Sequence, residues 1–274
     1  MIPLKDENPT TRRPFVTLAI IAVCVGVYFF WQPSPFGNTD DDLLFNLEHA
    51  AVPCEITQGE PLTIDELRAT YGQFGQDDAC QVGSEDSEQA FPDKSVWLAV
   101  LVSMFLHGSI LHLAGNVLFL WIFGNNIEDR LGHVKYLLFY LVGGAVATGT
   151  HVLLDVDSTI AMVGASGAIA AVMGAYLVWF PDAPVRTLLA FFFILVVRVR
   201  AKYLLLFWFV LQFFTAPDSG VAWAAHVGGF VFGALVGLFA RSSATAKRLV
   251  FARDHRDDPW DRTGGAGYTW YERD

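Results

Sequence analysis

The sequence predicts an all-α, polytopic membrane protein built as a bundle of six transmembrane helices. The chain is 53% hydrophobic and only 17% charged, whereas a soluble domain carries about 25% charged residues. The first apolar run, at 14–31, contains no charged residue and is close to the roughly 20 helical residues that cross a hydrocarbon core. Because it ends in aromatic residues and lacks a small-residue cleavage site, we interpret it as a transmembrane helix, not a secretory signal.

The later apolar runs set the number of predicted spans. They cover residues 97–123, 134–154, 161–180, 188–197, 203–216 and 221–240. As a helix, the run at 188–197 would reach only about 15 Å, half of a hydrocarbon core of about 30 Å. We therefore predict a hairpin at the inner membrane surface over 181–198 and a fifth span over about 199–215, which leaves six spans.

The distribution of charge predicts the orientation of these spans. Between Gln32 and Val96 there are fourteen Asp or Glu residues and only two Lys or Arg. Basic residues mark the cytoplasmic side of short loops, and the other basic residues lie in the segments that six crossings leave on the side of the termini. The sequence thus predicts cytoplasmic tails at 1–13 and 241–274 and an extracytoplasmic acidic loop at 32–95. We expect a multi-pass protein of the plasma membrane, and the net charge of −10 argues against a nucleic-acid partner.

The acidic loop carries two local signals. Thr63 followed by Glu66 predicts a capped short helix over 62–70. Cys54 and Cys80 both fall in this loop, where an oxidising compartment would permit a disulfide. The sequence leaves open whether they pair, and it does not indicate what the loop does.

Four polar residues lie where spans are predicted: His112, Asn116, Ser166 and His226. Polar and ionisable side chains inside a membrane are costly and usually functional. Taken singly, each has a structural interpretation, as a packing residue or an interhelical hydrogen bonder. Yet the predicted topology brings all four, from three separate spans, to one shallow layer near the outer surface. This convergence favours a functional site.

The chemistry of the four residues is that of acyl transfer. A serine hydroxyl needs a base to accept its proton, and histidine is the usual base near neutral pH. The Asn116 amide, the His112 ring N–H and the backbone N–H of Ser166 are candidate donors for an oxyanion hole. No acidic residue in the outer halves of the spans is placed to orient His226, so a Ser166–His226 dyad is predicted. Two histidines without a nearby carboxylate or cysteine make a poor zinc site, and we expect neither a metal nor another cofactor.

Several motifs carry a family resemblance. Residues 164–167 (Gly-Ala-Ser-Gly) resemble the Gly-x-Ser-Gly motif of rhomboid proteases, and residues 112–116 (His-Leu-Ala-Gly-Asn) resemble their His-x-x-x-Asn motif. Residues 225–233 are similar to the sixth span of the family, and residues 124–132 to the turn that follows its second span. In combination and order these motifs are specific, and the resemblance covers about 96–240.

The resemblance implies a rhomboid-type six-helix bundle whose catalytic core is 96–240. It implies an intramembrane serine endopeptidase that cleaves in or near transmembrane segments of other proteins. Ser166 would be the nucleophile and His226 the base, with His112, Asn116 and the Ser166 N–H forming the oxyanion hole. The glycines expected to be structural are Gly164, Gly167, Gly229 and Gly233.

The same resemblance implies the expected partners, which are transmembrane protein substrates and the lipid bilayer. The fifth span and the connection 216–220 would act as a lateral gate and cap, with Trp208 and Phe209 as candidate gate residues. Two features depart from the family. Trp97 is followed by Leu98 where the family often has Trp-Arg, and the segment 32–96 matches nothing in it.

Two other functions remain open from the sequence. A non-catalytic rhomboid-like binding protein is the first alternative, although such proteins usually lack the serine or the histidine. A transporter or channel is the second, although we see neither charged pairs near mid-membrane nor related halves of the chain. The sequence does not identify the substrate, the cleavage site or the oligomeric state.

Overall fold

A computed structural model describes residues 1–34, 39–72, 79–82, 87–190, 194–216 and 221–242. The α-helices within these ranges are α1 (Phe15–Phe30), α2 (Asp40–His49), α3 (Pro53–Gln58), α4 (Ile64–Tyr71), α5 (Val96–Val102), α6 (Ile110–Leu131), α7 (His133–Leu154), α8 (Ser166–Trp179), α9 (Ala201–Gln212) and α10 (Trp223–Ser242). The strands are β1 (Ile2–Asp6), β2 (Pro184–Ala190) and β3 (Ile194–Arg200), and short 3₁₀ turns lie at Ala79–Gln81 and Ser103–Phe105.

Among the described residues, three helices, α6, α7 and α10, are long and apolar enough to cross a membrane. The apolar helices α1, α8 and α9 are shorter, and α8 and α9 would reach only about 21 Å and 18 Å along their axes. Large apolar side chains face outward from the bundle, as at Leu111 and Leu153, which are 82% and 78% exposed. The molecule is an integral membrane protein, but helix length alone accounts for three spans, not six.

The apolar run 97–123 does not form one helix. It divides into α5, a 3₁₀ turn and α6, with a break at Leu106–Ser109. The Ser109 side chain accepts a hydrogen bond from the His112 N–H and caps α6, as serine commonly does at a helix start. The Gln32 side chain also bonds the N–H and the carbonyl of His107 within the break, and hydropathy does not record such contacts.

Helix α8 forms the centre of the bundle, and every residue from Gly167 to Tyr176 is buried. Its closest neighbour is α10, which approaches through small residues. A Cβ on Gly233 would meet the backbone carbonyl of Ala171, and a Cβ on Gly174 would meet that of Phe230. Small residues permit such close backbone contact between membrane helices, and this contact sets α10 beside α8.

Glu128, near the end of α6, ties α1 to the bundle. Its fully buried carboxylate accepts hydrogen bonds from the Val16 and Thr17 backbone N–H groups, each at 2.8 Å, and from the Thr17 hydroxyl at 2.7 Å. The same carboxylate contacts His133, whose Nδ1 lies 2.6 Å from Glu128 Oε1. A carboxylate satisfies the free N–H groups at a helix N-terminus and is favoured there by the helix dipole.

A small sheet shows that the all-α prediction was wrong in one respect. Strands β2 and β3 pair antiparallel from Pro184–Arg200 to Ala190–Ile194, so the predicted hairpin is present, and its Ile- and Val-rich sequence favours extended structure. Residues 2–6, within the predicted tail, add β1 to the β2 edge. The short sequence of β1 carries no strand pattern, and its place depends on this pairing.

Side chains fasten β1 to the bundle. Asp6 accepts hydrogen bonds from Asn126 at 2.6 Å and from the Tyr176 hydroxyl at 2.7 Å. Burial raises the pKa of Asp6 to about 6, although both bonds oppose the shift. The next residue, Glu7, accepts from Arg186 and Arg198 of the hairpin, and this lowers the pKa of Glu7 despite its partial burial.

The acidic loop folds into a cap made of α2, α3, α4 and the turn at Ala79–Gln81. The predicted short helix is confirmed as α4, with the capping box of Thr63 and Glu66. Cys54 and Cys80 form a disulfide, which answers the question left open by the sequence. Around it lies a small apolar core containing Leu47, Val52 and Leu62.

The cap also contains a buried ion pair. Lys94 Nζ lies 2.5 Å from Glu55 Oε2, and both side chains are only 1% exposed. Burial raises the pKa of Glu55 and lowers the pKa of Lys94, while each charge favours the ionised form of the other. Lys94 also donates to the Leu47 carbonyl, so one side chain joins the start of α5 to the cap.

Candidate active site

Ser166 and His226 lie in contact at the N-terminal ends of two adjacent helices. Ser166 is the first residue of α8, and His226 is the fourth of α10. His226 Nε2 lies 2.8 Å from Ser166 Oγ, a normal hydrogen-bond distance for this pair. The two residues are 60 positions apart in the chain, and the close packing of α8 on α10 brings them together.

The second ring nitrogen of His226 also has a partner. His226 Nδ1 lies 2.7 Å from Gln212 Oε1, and Gln212 Nε2 donates to the Trp208 carbonyl at 2.8 Å. Gln212 is the last residue of α9 and is 7% exposed. Gln212 was not among the candidate site residues predicted from the sequence, so this contact was missed. The available signal was a polar side chain at the outer end of the fifth predicted span.

Gly164 allows His112 to approach the segment before Ser166. The φ angle of Gly164 is +127°, and a Cβ there would lie 2.7 Å from His112 Cε1 and 2.8 Å from Nε2. Glycine alone adopts this conformation readily and leaves room for the ring. His112, predicted as an oxyanion donor, therefore packs against Gly164, two residues before Ser166.

Asn116 lies one helical turn beyond His112 on α6. It is 9% exposed, and its Nδ2 atom has no hydrogen-bond acceptor among the described residues. No hydrogen bond joins it to Ser166 or His226 within that part of the chain. The structure thus brings Ser166, His226 and His112 together, whereas no described contact places Asn116 against Ser166 or His226.

Two more glycines permit the close approach of helices around the pair. A Cβ on Gly167 would lie 2.6 Å from the Cβ of Ala147, and a Cβ on Gly229 would meet the Gly167 carbonyl. A cavity next to Ser166 is bordered by Ser103, Thr148, Met162 and Ala225. The cavity therefore lies between the elements that carry these residues.

The acidic cap holds the segment that leads to Ser166. Met162 N–H donates to the Ala51 carbonyl at 2.8 Å, and Ala51 N–H donates to Ser103 Oγ at 2.6 Å. The Ser103 carbonyl accepts from Gly164 N–H at 2.9 Å. Because Ala51 belongs to the cap, the long acidic segment supports the backbone of the candidate site.

The candidate gate residues lie on α9 beside His226. The Trp208 and His226 rings are 5.6 Å apart between centroids, and Phe209 stacks on Phe230 at 4.7 Å. Residues 217–220 of the predicted connecting cap lie outside the described residues.

The family model described as "Rhomboid domain" matches residues 94–243, which is more than half of the chain. This chain belongs to the rhomboid family. It is similar to "Rhomboid protease AarA" of Providencia stuartii, with 30% identity over 158 residues that cover 52% of this chain and 55% of the relative. The match to the rhomboid domain covers α5 to α10 and leaves most of the acidic cap outside it.

Two further relatives show the range of the rhomboid family. "Rhomboid protease GlpG" of Serratia proteamaculans is 32% identical over 132 residues, which cover 48% of this chain and 44% of the relative. "Presenilin-associated rhomboid-like protein A, mitochondrial" of Danio rerio is 33% identical over 92 residues, 33% of this chain and 24% of the relative. The matched region thus spans between 24% and 55% of the length of these three curated relatives.

Proposed function

We propose that this rhomboid protein is an intramembrane serine endopeptidase that hydrolyses peptide bonds in or near transmembrane segments of other proteins. The observation that carries the proposal is the 2.8 Å contact between Ser166 Oγ and His226 Nε2. Similarity to two relatives named as rhomboid proteases supports it.

In the proposed mechanism, Ser166 Oγ attacks the scissile carbonyl carbon while its proton passes to His226 Nε2. The tetrahedral intermediate collapses when the protonated His226 gives that proton to the leaving amine. Water, activated by the same ring, then hydrolyses the acyl-enzyme and restores Ser166. The cavity next to Ser166 gives room for the substrate carbonyl and for this water.

Three donors are proposed for the oxyanion. The Ser166 N–H lies at the start of α8, where free N–H groups and the helix dipole favour negative charge. Asn116 Nδ2, which has no acceptor among the described residues, would donate a hydrogen bond to the same oxyanion. The His112 ring, held against Gly164, supplies a third donor, and each such donor is worth about a hundred- to a thousandfold in rate.

The proposed topology has six spans, with the short helices α1, α8 and α9 crossing in addition to the three long ones. The Cys54–Cys80 disulfide supports an oxidising environment for the acidic cap. Basic residues on the opposite side support cytoplasmic termini. We propose the plasma membrane as the location, and because one relative is named as mitochondrial, membrane fractionation is the direct check.

The proposed substrates are single membrane helices that enter from the bilayer past α9. Trp208 lies beside His226 and Phe209 stacks on Phe230 of α10, so a substrate helix that enters past α9 would have to displace these two rings to reach the dyad. Smaller side chains at these positions are expected to speed the cleavage of a membrane-embedded substrate more than that of a soluble peptide.

The experiment is labelling of the purified, detergent-solubilised protein with a fluorescent fluorophosphonate. In this reaction Ser166 Oγ bonds to phosphorus, fluoride leaves, and the hydroxyl proton passes to His226. Wild type should be labelled, and Ser166→Ala and His226→Ala should each lose the label while keeping their elution volume and thermal midpoint. Full labelling of either variant would refute the dyad. A folded but unlabelled wild type would favour a non-catalytic rhomboid-like binding protein.

A further inference from the structure

Gln212 connects α9 to the base of the proposed dyad. Its side chain makes two hydrogen bonds, one to His226 Nδ1 and one to the Trp208 carbonyl, and is almost fully buried. No carboxylate bonds to His226 in the part of the chain that the structure describes. The amide of Gln212 therefore occupies the position where serine hydrolases with a triad place an acid.

The bond to Trp208 fixes the orientation of the Gln212 amide. A backbone carbonyl only accepts hydrogen bonds, so the group facing it must be the Nε2 amino group. The group facing His226 is then Oε1, which only accepts. It follows that His226 Nδ1 carries a hydrogen and donates it to Gln212.

This assignment determines the other side of the ring. A neutral imidazole carries one hydrogen, so with Nδ1 protonated, Nε2 presents a lone pair. Nε2 is the atom that lies 2.8 Å from Ser166 Oγ. The ring is thus held in the only neutral tautomer that can accept the serine proton.

We propose that Gln212 is a positioning residue that holds His226 in its base-competent tautomer and orients the ring toward Ser166. This inference rests on the proposed function. A neutral amide suits this site because a carboxylate at the same depth would carry a large cost of desolvation. Its carbonyl dipole still stabilises the imidazolium that forms when Ser166 gives up its proton.

The test measures the inactivation of wild type, Gln212→Leu and Gln212→Glu by a fluorophosphonate, with kinact and KI determined from pH 5 to pH 9. Val210→Ala is the matched control, because Val210 is a half-exposed residue of the same helix. Gln212→Leu should lower kinact about ten- to a hundredfold, the effect of leaving one buried N–H without its acceptor, with KI unchanged. Gln212→Glu supplies a charged acceptor, so the acid limb of its pH profile should move to higher pH by about one to three units.

A second measurement needs no variant of Gln212 and uses only wild type and a folded His226→Ala protein. In protein labelled with ¹⁵N-histidine, the wild-type His226 resonances, identified by their absence in His226→Ala, should be those of the Nδ1-protonated tautomer. An Nε2-protonated ring would overturn the proposal.

The outcomes separate this inference from the proposed function. If Ser166→Ala abolishes labelling but Gln212→Leu keeps the wild-type kinact and pH profile, Gln212 is only a packing residue. If Ser166→Ala is still labelled, the proposed dyad itself has failed. A Gln212→Leu enzyme that is slow, stable and unchanged in KI supports the positioning role.

Discussion

The buried ion pair of the cap offers a sharp test of how the acidic segment supports the site. Lys94→Met removes the only cation within 4 Å of the Glu55 carboxylate in the described part of the chain, and both side chains are 1% exposed. Breaking one partner of a buried pair typically costs about 3–5 kcal/mol. Because burial already raises the pKa of Glu55 above its ordinary 4.5, the lone carboxyl is expected to take up a proton in the variant.

Protonation sets the size of the effect. Holding a carboxyl of ordinary pKa 4.5 in its neutral form costs about 1.36 kcal/mol per pH unit above that value. The loss is therefore about 3.4 kcal/mol at pH 7 and about 1.4 kcal/mol at pH 5.5. Because the pKa of Glu55 is raised in the folded state, the loss of stability grows as pH rises and shrinks as pH falls toward 4.5.

The assay is thermal unfolding of solubilised Lys94→Met at the two pH values, together with limited proteolysis of the cap. The double variant Glu55→Gln with Lys94→Met is the control, because it removes the uncompensated acid and should recover much of the stability. Fluorophosphonate labelling should slow with the loss of the cap, since Ala51 holds the backbone of Met162. A Lys94→Met protein as stable as wild type at pH 7, or one more stable at pH 7 than at pH 5.5, would refute this reasoning.

Three further predictions concern the cap, the N-terminal strand and the helix contact. Reducing the Cys54–Cys80 disulfide, which closes a separation of 26 residues, should cost about 3.5 kcal/mol, read as a lower unfolding temperature with reductant; an unchanged temperature would contradict it. Asp6 has a folded-state pKa of about 6 against an ordinary 3.8, so its contribution is present below pH 4 and is lost as pH rises through 6. The stability of Asp6→Asn relative to wild type should therefore rise by about 3 kcal/mol between pH 4 and pH 7.5. The measurement is hydrogen exchange across β1 in both proteins, and the same difference between them at pH 4 and at pH 7.5 would contradict the prediction. Gly233→Ala should abolish labelling and folded yield because its Cβ would meet a backbone carbonyl, whereas Gly26→Ala, with open space around it, should be at least as stable as wild type.

Much of the candidate site could be predicted because it depends on residue types and on their predicted depth in the membrane. Ser166 and His226 each have a structural interpretation alone, but their convergence with His112 and Asn116 on one predicted layer favours function. The hairpin at 181–198 was predicted because the apolar run 188–197 within it is too short to span a membrane as a helix. The helix after Thr63 followed from a capping pair three residues apart, a purely local signal.

Other features depended on contacts between distant parts of the chain. The all-α prediction missed the sheet because β1 gains its hydrogen bonds from a hairpin about 180 residues away. The cap appeared to be a loop because its order comes from a disulfide and a buried ion pair, whose partners no local pattern links. In the division of the run 97–123, Ser109 caps α6 and the distant Gln32 side chain bonds the backbone of His107.

The sequence by itself determined the class of molecule, and it supplied the candidate nucleophile and base and a predicted orientation from the distribution of charge. These properties follow from composition, hydropathy and residue chemistry, which the order of the chain records directly. The tertiary structure alone decided that Gln212 faces His226 and that Ala51 holds the segment before Ser166. Both contacts join residues from different elements, so their geometry exists only after α9 packs beside α10 and the cap folds onto the bundle.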